Sequence, residues 1–461
     1  MFLMPGTRSD VNSLSPRDRR YIEKSPSPSL LRTQSTGSMR RSPSSPTLSS
    51  YMTHRFYAGW ISLIMCISFA FWNIRTGDIL IKRENPLMKD IPNSVTKPLH
   101  PQDRYIRAEK MTNSKLSQYR GPNGPKYNVL VTGAAGFVGM FTALELKKLG
   151  MTPVGYDNIN PYYSTDLKRL RIEELQRHNI EFIEGDVCDS DKLKQTLQDH
   201  NITRVIHLAA QAGVRYSLDH PYAYTRNNVD CFVHLLETMV DLGLTKDPLV
   251  FASSSSVYGN NAKIPFRESD RLEDPASLYA TTKRTDELIA QTYFNLHKIN
   301  SIGLRFFTVY GPFGRPDMAP WLFTDKISNN DTIRVFNNGH SRRDFTYVED
   351  IVQGVVNSLF VNTGQPELIN LGNGRPILLS DFVQMVEGQL GRKANIDYVP
   401  MQKGDVPVTY ADISKARRLL GYNPNTPIEE GIKKFVHWFK KNDASKYRMK
   451  DGKKATSTIK K

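Results

Sequence analysis

The stretch "VTGAAGFVGMFTALELKKLG", residues 131–150, places three glycines at intervals of three between a short β-branched run and a helical pattern. The preceding "YNVLV" is typical of a buried strand, and "TPVGYDN" follows as a second strand. In such a β-α-β unit, bare backbone before the helix lets a pyrophosphate reach free N–H groups at the positive end of the helix dipole. We predict that Gly133 permits the tight turn, Gly136 the approach of the pyrophosphate, and Gly139 the close packing of helix on strand.

The spacing GxxGxxG departs from the commoner GxGxxG, and by itself it also fits a plain strand-to-helix turn. Asp157, at the end of the second strand, favours a dinucleotide site, because a carboxylate there accepts hydrogen bonds from ribose hydroxyls and repels a 2′-phosphate. We therefore predict an α/β fold with a Rossmann-type doubly wound parallel sheet that binds NAD. The predicted cofactor contacts around this sheet are Gly133, Gly136, Phe137, Val138, Gly139, Asp157, Asn158, Asp186, Val187, Leu208, Ala209 and Ala210.

The reacting groups are predicted where the strand "LVFASSSSVYGN" ends in hydroxyls, 25 residues before Tyr279. Tyr279 and Lys283 are four apart in a helical pattern and therefore share one face. A neighbouring ammonium and a nicotinamide cation both favour a phenolate, so Tyr279 can act as a base while a serine shares its proton. In isolation the same pattern also fits an exposed Tyr and Lys on an ordinary helix.

The ends of the chain have a different composition from its centre. Residues 1–55 are rich in Ser, Pro and Arg and are predicted to be disordered, and residues 441–461 to form a basic tail. Residues 1–55 and 433–461 together carry +15 of the formal charge of +16. The central chain is thus nearly neutral, and we predict no binding of nucleic acid.

Residues 56–74, "FYAGWISLIMCISFAFWNI", form a run of nineteen residues without charge, long enough to cross a ~30 Å hydrocarbon core. We predict a transmembrane helix followed by a polar stem at 75–125; a buried core helix is the alternative. The basic N-terminal tail favours a single-pass type II protein with a lumenal catalytic part. Four basic residues just after the span reduce the difference in positive charge between its two sides. In a lumen, Asn201 and Asn330 would be glycosylation sequons.

Cysteine and metal-ligand patterns add little. Outside the predicted span lie Cys188 and Cys231, too few for a disulfide framework or a zinc site. No metal site is predicted.

Residues 127 to about 440 resemble the extended short-chain dehydrogenases/reductases, and within them the nucleotide-sugar epimerases. The motifs "VTGAAGFVG", "GDVCD", "HLAAQAGVRYS", "NNV", "SSSSVYG", "YATTK" and "RRDFTYVED" occur in that family's order. The resemblance implies an NAD-binding domain at 126–310, a smaller substrate-binding lobe at 311–440, and a homodimer. It adds Asn228, Tyr279 and Lys283 to the cofactor contacts.

The residues beside the catalytic hydroxyl distinguish members of this family. Sugar 4,6-dehydratases carry Asp-Glu there and decarboxylating relatives carry Ser-Glu, whereas this sequence has Ser255 and Ser256. "DNINPYYSTDLKRLR" and "YGPFGRPDMAPWLFT" closely resemble UDP-glucuronate 4-epimerases, which interconvert UDP-glucuronate and UDP-galacturonate and include Golgi membrane forms. The resemblance implies epimerisation through a 4-keto intermediate with tightly bound NAD; a UDP-glucuronate decarboxylase and a UDP-glucose 4-epimerase remain alternatives.

The resemblance also implies roles for individual residues. Tyr279 is expected to take the 4-OH proton through Ser254, Lys283 to fix the nicotinamide ribose, and Ser256 to be a second catalytic hydroxyl. Arg315 is expected to bind the sugar carboxylate or a phosphate bidentately. The full set of expected substrate contacts is Ser254, Ser255, Ser256, Thr308, Arg315, Arg343 for the pyrophosphate and Asp405 for the uridine.

Overall fold

The computed structural model of the protein describes residues 127–401 and 404–449. The predicted disordered tail (1–55), transmembrane helix (56–74) and stem (75–125) lie outside the described residues. Among the described residues, we find no helix with both the length and the apolar character needed to cross a bilayer.

Strands and helices alternate along the first half of the described chain, as the sequence predicts. The strands are β1 Asn128–Thr132, β2 Thr152–Asp157, β3 Glu181–Glu184, β4 Arg204–His207, β5 Leu249–Ser254, β6 Ser301–Phe306, β7 Thr308–Tyr310, β8 Thr332–Phe336, β9 Arg342–Tyr347, β10 Glu367–Leu371, β11 Pro376–Leu378 and β12 Asn395–Val399. The α-helices are α1 Phe137–Lys148, α2 Thr165–Arg177, α3 Ser190–Asp199, α4 Tyr216–Asp219, α5 Pro221–Tyr224, α6 Cys231–Asp241, α7 Leu278–His297, α8 Ala319–Ser328, α9 Val348–Ser358, α10 Leu379–Leu390, α11 Ser414–Leu420 and α12 Ile428–Lys441.

Seven parallel strands form the main sheet in the order β3-β2-β1-β4-β5-β6-β10. The order reverses between β1 and β4, which opens a crevice at the carboxyl ends of these strands. Along β1, Val129 and Val131 pack into one hydrophobic cluster and Leu130 into the other. Both faces are therefore buried, and the predicted doubly wound fold is confirmed.

The C-terminal lobe contains the sheet β11-β9-β7 and the pair β12-β8. The predicted boundary at residue 310 needs correction, because β10 leaves this lobe and pairs with β6 of the main sheet. The predicted apolar face of α12 is buried at Ile432, Phe435, Val436 and Phe439. The lobe also continues past residue 440, since a 3₁₀ turn at Ala444–Tyr447 buries both of its end residues.

The glycine turn between β1 and α1 is closed by backbone contacts. Gly133 has φ +71°, and a Cβ there would lie 2.6 Å from the amide nitrogen of Ala209. A Cβ on Gly139 would lie 2.1 Å from the carbonyl oxygen of Gly133. The amide of Gly136 donates to the same oxygen at 2.8 Å. The turn and the close helix packing thus depend on the glycines that the sequence singles out.

Gly139→Ala should lower the free energy of unfolding by about 1–3 kcal/mol, because α1 must move away from the turn to admit the methyl group. Urea unfolding measures the loss. Gly388 is the matched control: it lies within α10, and a Cβ there meets nothing within 4 Å. Gly388→Ala should raise the stability by roughly 0.5–1 kcal/mol. Equal effects of the two substitutions would contradict the role assigned to Gly139.

Candidate active site

A cavity of about 840 Å³ opens at the carboxyl ends of the main-sheet strands and extends to the C-terminal lobe. With the exception of Asn228, every predicted cofactor and substrate residue lines it. The side-chain amide of Asn228 is buried and holds the backbone of Gln211 and the hydroxyl of Thr282. Asn228 therefore has structural partners in this structure, and its contact with the cofactor stays a prediction.

One end of the cavity fits a pyrophosphate. Gly136 precedes α1, whose first turn contains no acidic side chain. The first N–H groups of a helix have no partner within it, and the helix dipole adds positive potential at this end. Because methyl groups at Gly133 or Gly139 would fill the turn, only bare backbone leaves this surface open to an anion.

Asp157 is held at the end of β2 by backbone amides. Its Oδ2 accepts from Ala135 N at 3.2 Å and its Oδ1 from Ile159 N at 2.8 Å. The ammonium of Lys168 lies 3.4 Å from Oδ1, with both side chains almost fully buried. Lys168 was missed by sequence reasoning because its position in α2 does not reveal its burial. The carboxylate is fixed where a ribose is expected.

Asp186 lies in the cavity wall next to Asp157. Its Oδ1 accepts from Cys188 N at 2.9 Å, and its Oδ2 lies 3.4 Å from the amide of Asn158 and 3.3 Å from the guanidinium of Arg226. Burial would raise the pKa of Asp186, but the Cys188 amide and Arg226 hold it below its ordinary value. The acid therefore stays ionised and paired at this wall.

A disulfide joins Cys188, after β3, to Cys231 at the start of α6, with an S–S distance of 2.04 Å. Cys231 also lines the cavity. No role is predicted for these two cysteines from the sequence, since a separation of 43 residues gives no indication of contact. The bond connects the two segments that form the wall around Asp186.

The predicted reacting groups line the same cavity. Ser254 ends β5, and its Oγ accepts from Ser256 N at 3.1 Å, which fixes the 3₁₀ turn that follows. Ser277 caps α7 through Ala280 N at 3.2 Å and so starts the helix just before Tyr279. Tyr279 and Lys283 both line the cavity from this helix.

His207, at the end of β4, is a cavity residue that sequence reasoning missed. Its Nδ1 lies 2.8 Å from the hydroxyl of Thr132, and its ring stacks on Phe232. Burial and the nearby ammonium of Lys283 lower the pKa of His207 to about 3. The imidazole is therefore neutral at physiological pH.

At the sugar end, Arg315 is paired with Asp317 through two hydrogen bonds of 3.0 and 2.6 Å. The hydroxyl of Tyr162 donates to the same carboxylate at 2.9 Å. Burial alone would lower the pKa of Arg315, but Asp317 raises it above its ordinary value. The pair with Asp317 uses the N–H of Nε and one N–H of Nη2. A guanidinium has five N–H donors, so Nη1 and the second N–H of Nη2 can still donate, and the bidentate grip on substrate stays a prediction.

Arg343 and Asp405, expected at the pyrophosphate and the uridine, contact each other at 2.6 Å. They lie in the same cavity as Arg215, whose guanidinium stacks 4.9 Å from the ring centroid of Phe336. An aromatic ring and a cation beside an Arg–Asp pair suit a base and a phosphate. Arg215 belongs to the motif "HLAAQAGVRYS" but carries no predicted role, and Phe336 lies outside the quoted motifs.

A fully buried arginine connects the cofactor turn to the C-terminal lobe. Arg171 donates to the carbonyl of Ala135 at 2.9 Å and to the carbonyls of Phe313 and Gly314 at 2.8 and 3.1 Å. Its partners Phe313 and Gly314 directly precede Arg315. This contact fixes the sugar end of the cavity relative to the glycine turn.

Comparisons with known proteins agree with this geometry. The profile of the GDP-mannose 4,6 dehydratase family matches residues 130–435. UDP-glucuronate 4-epimerase 4 of Arabidopsis thaliana is 46% identical over 327 residues, which cover 68% of this chain and 75% of the plant protein.

Solved structures give the same result. A UDP-glucuronic acid 4-epimerase from Bacillus cereus, in complex with UDP-glucuronic acid and NAD, superposes with a TM-score of 0.64 at 34% identity, covering 68% of this chain and 99% of that one. A UDP-glucose 4-epimerase from Thermotoga maritima, solved with UDP-glucose, has a TM-score of 0.62 at 28% identity over the same shares. The chain therefore belongs to the GDP-mannose 4,6-dehydratase family of NAD-dependent nucleotide-sugar enzymes, and its relatives in that family include UDP-glucuronate 4-epimerases.

Proposed function

We propose that the protein is a UDP-glucuronate 4-epimerase, which interconverts UDP-glucuronate and UDP-galacturonate and keeps its NAD bound. The observation that carries this proposal is the meeting of Ser254, Tyr279 and Lys283 in one cavity with the glycine turn. The relatives named UDP-glucuronate 4-epimerase, at about 45% identity, support the choice of substrate.

The cofactor would be held by the Gly133–Gly139 turn at its pyrophosphate and by Asp157 at its adenosine ribose. When bound, NAD accepts hydride from C4 of the sugar and returns it. Because the hydride is returned in each cycle, the protein has no need to exchange its cofactor. The disulfide-closed wall around Asp186 is consistent with such retention.

Tyr279 takes the proton of the 4-hydroxyl and gives it back, with Ser254 sharing it on the way. Lys283 stabilises the phenolate by its charge. After oxidation the 4-keto sugar turns about its pyrophosphate linkage, so that hydride returns to the other face. Arg343 and Asp405 line the cavity where the nucleotide part would stay anchored during this turn.

Loss of carbon dioxide has to be avoided, since a 4-keto uronate is a β-keto acid. Decarboxylation requires the carboxylate to lie perpendicular to the ketone plane. Ser256 and Thr308 line the cavity, and within the described ranges neither side-chain hydroxyl is taken by a protein hydrogen bond. We assign to these two hydroxyls the task of holding the carboxylate near that plane.

Two other activities of the family are alternatives, a UDP-xylose-forming decarboxylase and a UDP-glucose 4-epimerase. Ser255 and Ser256 stand where decarboxylating relatives are expected to carry Ser-Glu. Parallel incubations of the full chain with UDP-glucuronate and with UDP-glucose distinguish the three. UDP-galacturonate is the expected product from UDP-glucuronate, whereas UDP-xylose, or turnover of UDP-glucose alone, would reject the proposal.

Tyr279→Phe should lower kcat about 10²- to 10⁴-fold, because the substituted ring has no oxygen to accept the proton. The measurement is the rate of UDP-galacturonate formation, with near-ultraviolet circular dichroism as a check of folding. Tyr222→Phe is the control, since Tyr222 is 86% exposed and does not line the cavity. Full activity in Tyr279→Phe would remove the assigned base.

We further propose a single-pass type II Golgi membrane protein, anchored by residues 56–74 with the catalytic part in the lumen. Disulfides persist in oxidising compartments and are rare in the cytosol, so the Cys188–Cys231 bond supports a lumenal location. Both sequon asparagines, Asn201 and Asn330, are exposed in turns with positive φ, after α3 and α8. Neither lines the cavity, so a glycan at either site is compatible with turnover.

Removal of N-linked glycans by an endoglycosidase should increase the gel mobility of the full chain expressed in eukaryotic cells. The increase should vanish in a Thr203→Ala and Thr332→Ala double variant and persist in the matched Thr203→Ser and Thr332→Ser variant, which keeps both sequons. A wild-type chain that does not respond to the enzyme would place the catalytic part outside the secretory lumen.

A homodimer is also proposed, in line with the family resemblance. Leu288 and Leu296 lie eight residues apart on α7 and are 53% and 69% exposed, which places two large apolar side chains on the outer face of this helix.

Leu288→Glu should shift the protein from dimer to monomer in size-exclusion chromatography with light scattering, because it places a charge in the proposed interface. Tyr398→Glu, at a side chain of similar exposure (54%) on β12, should leave the dimer intact. A monomeric wild-type protein would refute the proposal.

A further inference from the structure

The ammonium of Lys283 already has a protein partner in the structure. Its Nζ lies 3.1 Å from Oδ2 of Asp286, one turn further along α7, and both side chains are only 3% exposed. The second oxygen of this carboxylate, Oδ1, is buried and has no hydrogen-bond partner among the described residues. A buried carboxylate with an unused oxygen is costly. It therefore calls for an explanation beyond packing.

The neighbouring acid Glu287 shows what a structural carboxylate looks like on the same helix. Its two oxygens accept from the hydroxyl of Ser253, from Arg284, and twice from Arg305, at 2.6 to 2.9 Å. Glu287 is thus fully satisfied by β5, β6 and its own helix. Within the described part of the chain, Asp286 has one hydrogen-bond partner, Lys283, and so its charge is directed at the catalytic lysine.

We propose that Asp286 is a positioning residue, whose carboxylate holds the ammonium of Lys283 turned to the cofactor side of the cavity. The reason is electrostatic: a charge on a group buried this deeply is costly unless an opposite charge lies beside it. An ammonium has three N–H donors, and the bond to Asp286 occupies one of them while two stay available to ribose oxygens. This proposal rests on the epimerase function given above.

Of the two neighbouring buried acids, Asp286 and Glu287, Asp286 is the one that titrates near neutrality. Burial, the largest effect, raises the pKa of Asp286 to about 6 against the opposing charge of Lys283. Hydrogen bonds from Arg305, Ser253 and Arg284 hold the pKa of Glu287 below its ordinary value, so that this acid stays ionised. His207, which faces Lys283 from β4, stays neutral down to about pH 3.

The first test is the pH dependence of NAD retention in the wild-type protein. As the pH falls through about 6, Asp286 takes a proton and Lys283 loses its anion, so less NAD should remain bound after gel filtration, measured per protomer from the cofactor absorbance. This readout needs no sugar substrate and therefore survives a failure of the proposed function. Retention that stays constant from pH 8 to pH 5 would overturn the proposal.

The second test uses Asp286→Asn, which keeps the shape of the side chain and removes its charge. The alkaline limb of the pH–rate profile should move at least one unit to lower pH, and kcat at pH 8 should fall about tenfold with KM for UDP-glucuronate changed less than threefold. NAD retention should become independent of pH between 5 and 7. A lower kcat with an unmoved alkaline limb would assign Asp286 a merely structural role.

The matched control is Asp241→Asn. Asp241 pairs with Lys194 at the same N–O distance of 3.1 Å, but these side chains are 59% and 41% exposed. Exposed ion pairs contribute little, so this variant should keep the wild-type pH profile and NAD retention. If Asp286→Asn does not fold, the wild-type retention series alone decides the question.

Discussion

The close approach of α1 to the carbonyl of Gly133 is the constraint on which the rest of the site depends. The helix can start at the end of β1 only because Gly139 has no side chain to meet that oxygen. Its amino end consequently points into the crevice beside β4, where the strand order reverses. An anion at this point meets unpaired N–H groups. The position of the pyrophosphate there determines where the other parts of a dinucleotide can make contacts.

Three cations that line the cavity are each paired with an acid. Arg315 with Asp317, Arg343 with Asp405, and Lys283 with Asp286 each combine a cation with an acid at 2.6 to 3.1 Å. Such pairing limits the cost of placing several cations in one partly enclosed space before an anionic nucleotide sugar arrives. It also means that substrate oxygens meet cations already oriented by protein carboxylates.

Short motifs predicted the main sheet and much of the site, because their chemistry lies in neighbouring residues: the glycine turn, Asp157, and Tyr279 with Lys283. Contacts between distant segments were not predictable. Arg171 reaches Phe313 across 142 residues. Asp317 occupies two donors of Arg315, and the local sequence does not indicate that this carboxylate pairs with the arginine two residues before it. Burial of Asp286 likewise depends on strands that approach α7 only in the folded protein.

The return of β10 to the main sheet has a consequence for how the chain is made. Glu367 lies opposite Ile302, so the outer edge of β6 stays open until the ribosome has produced the intervening lobe. An unpaired strand edge is a template for pairing with other chains. A nascent polypeptide that ends near residue 310 would therefore expose an unpaired strand edge that is prone to aggregation. We expect chaperones to bind this polypeptide until β10, the last strand of the main sheet, has been synthesised.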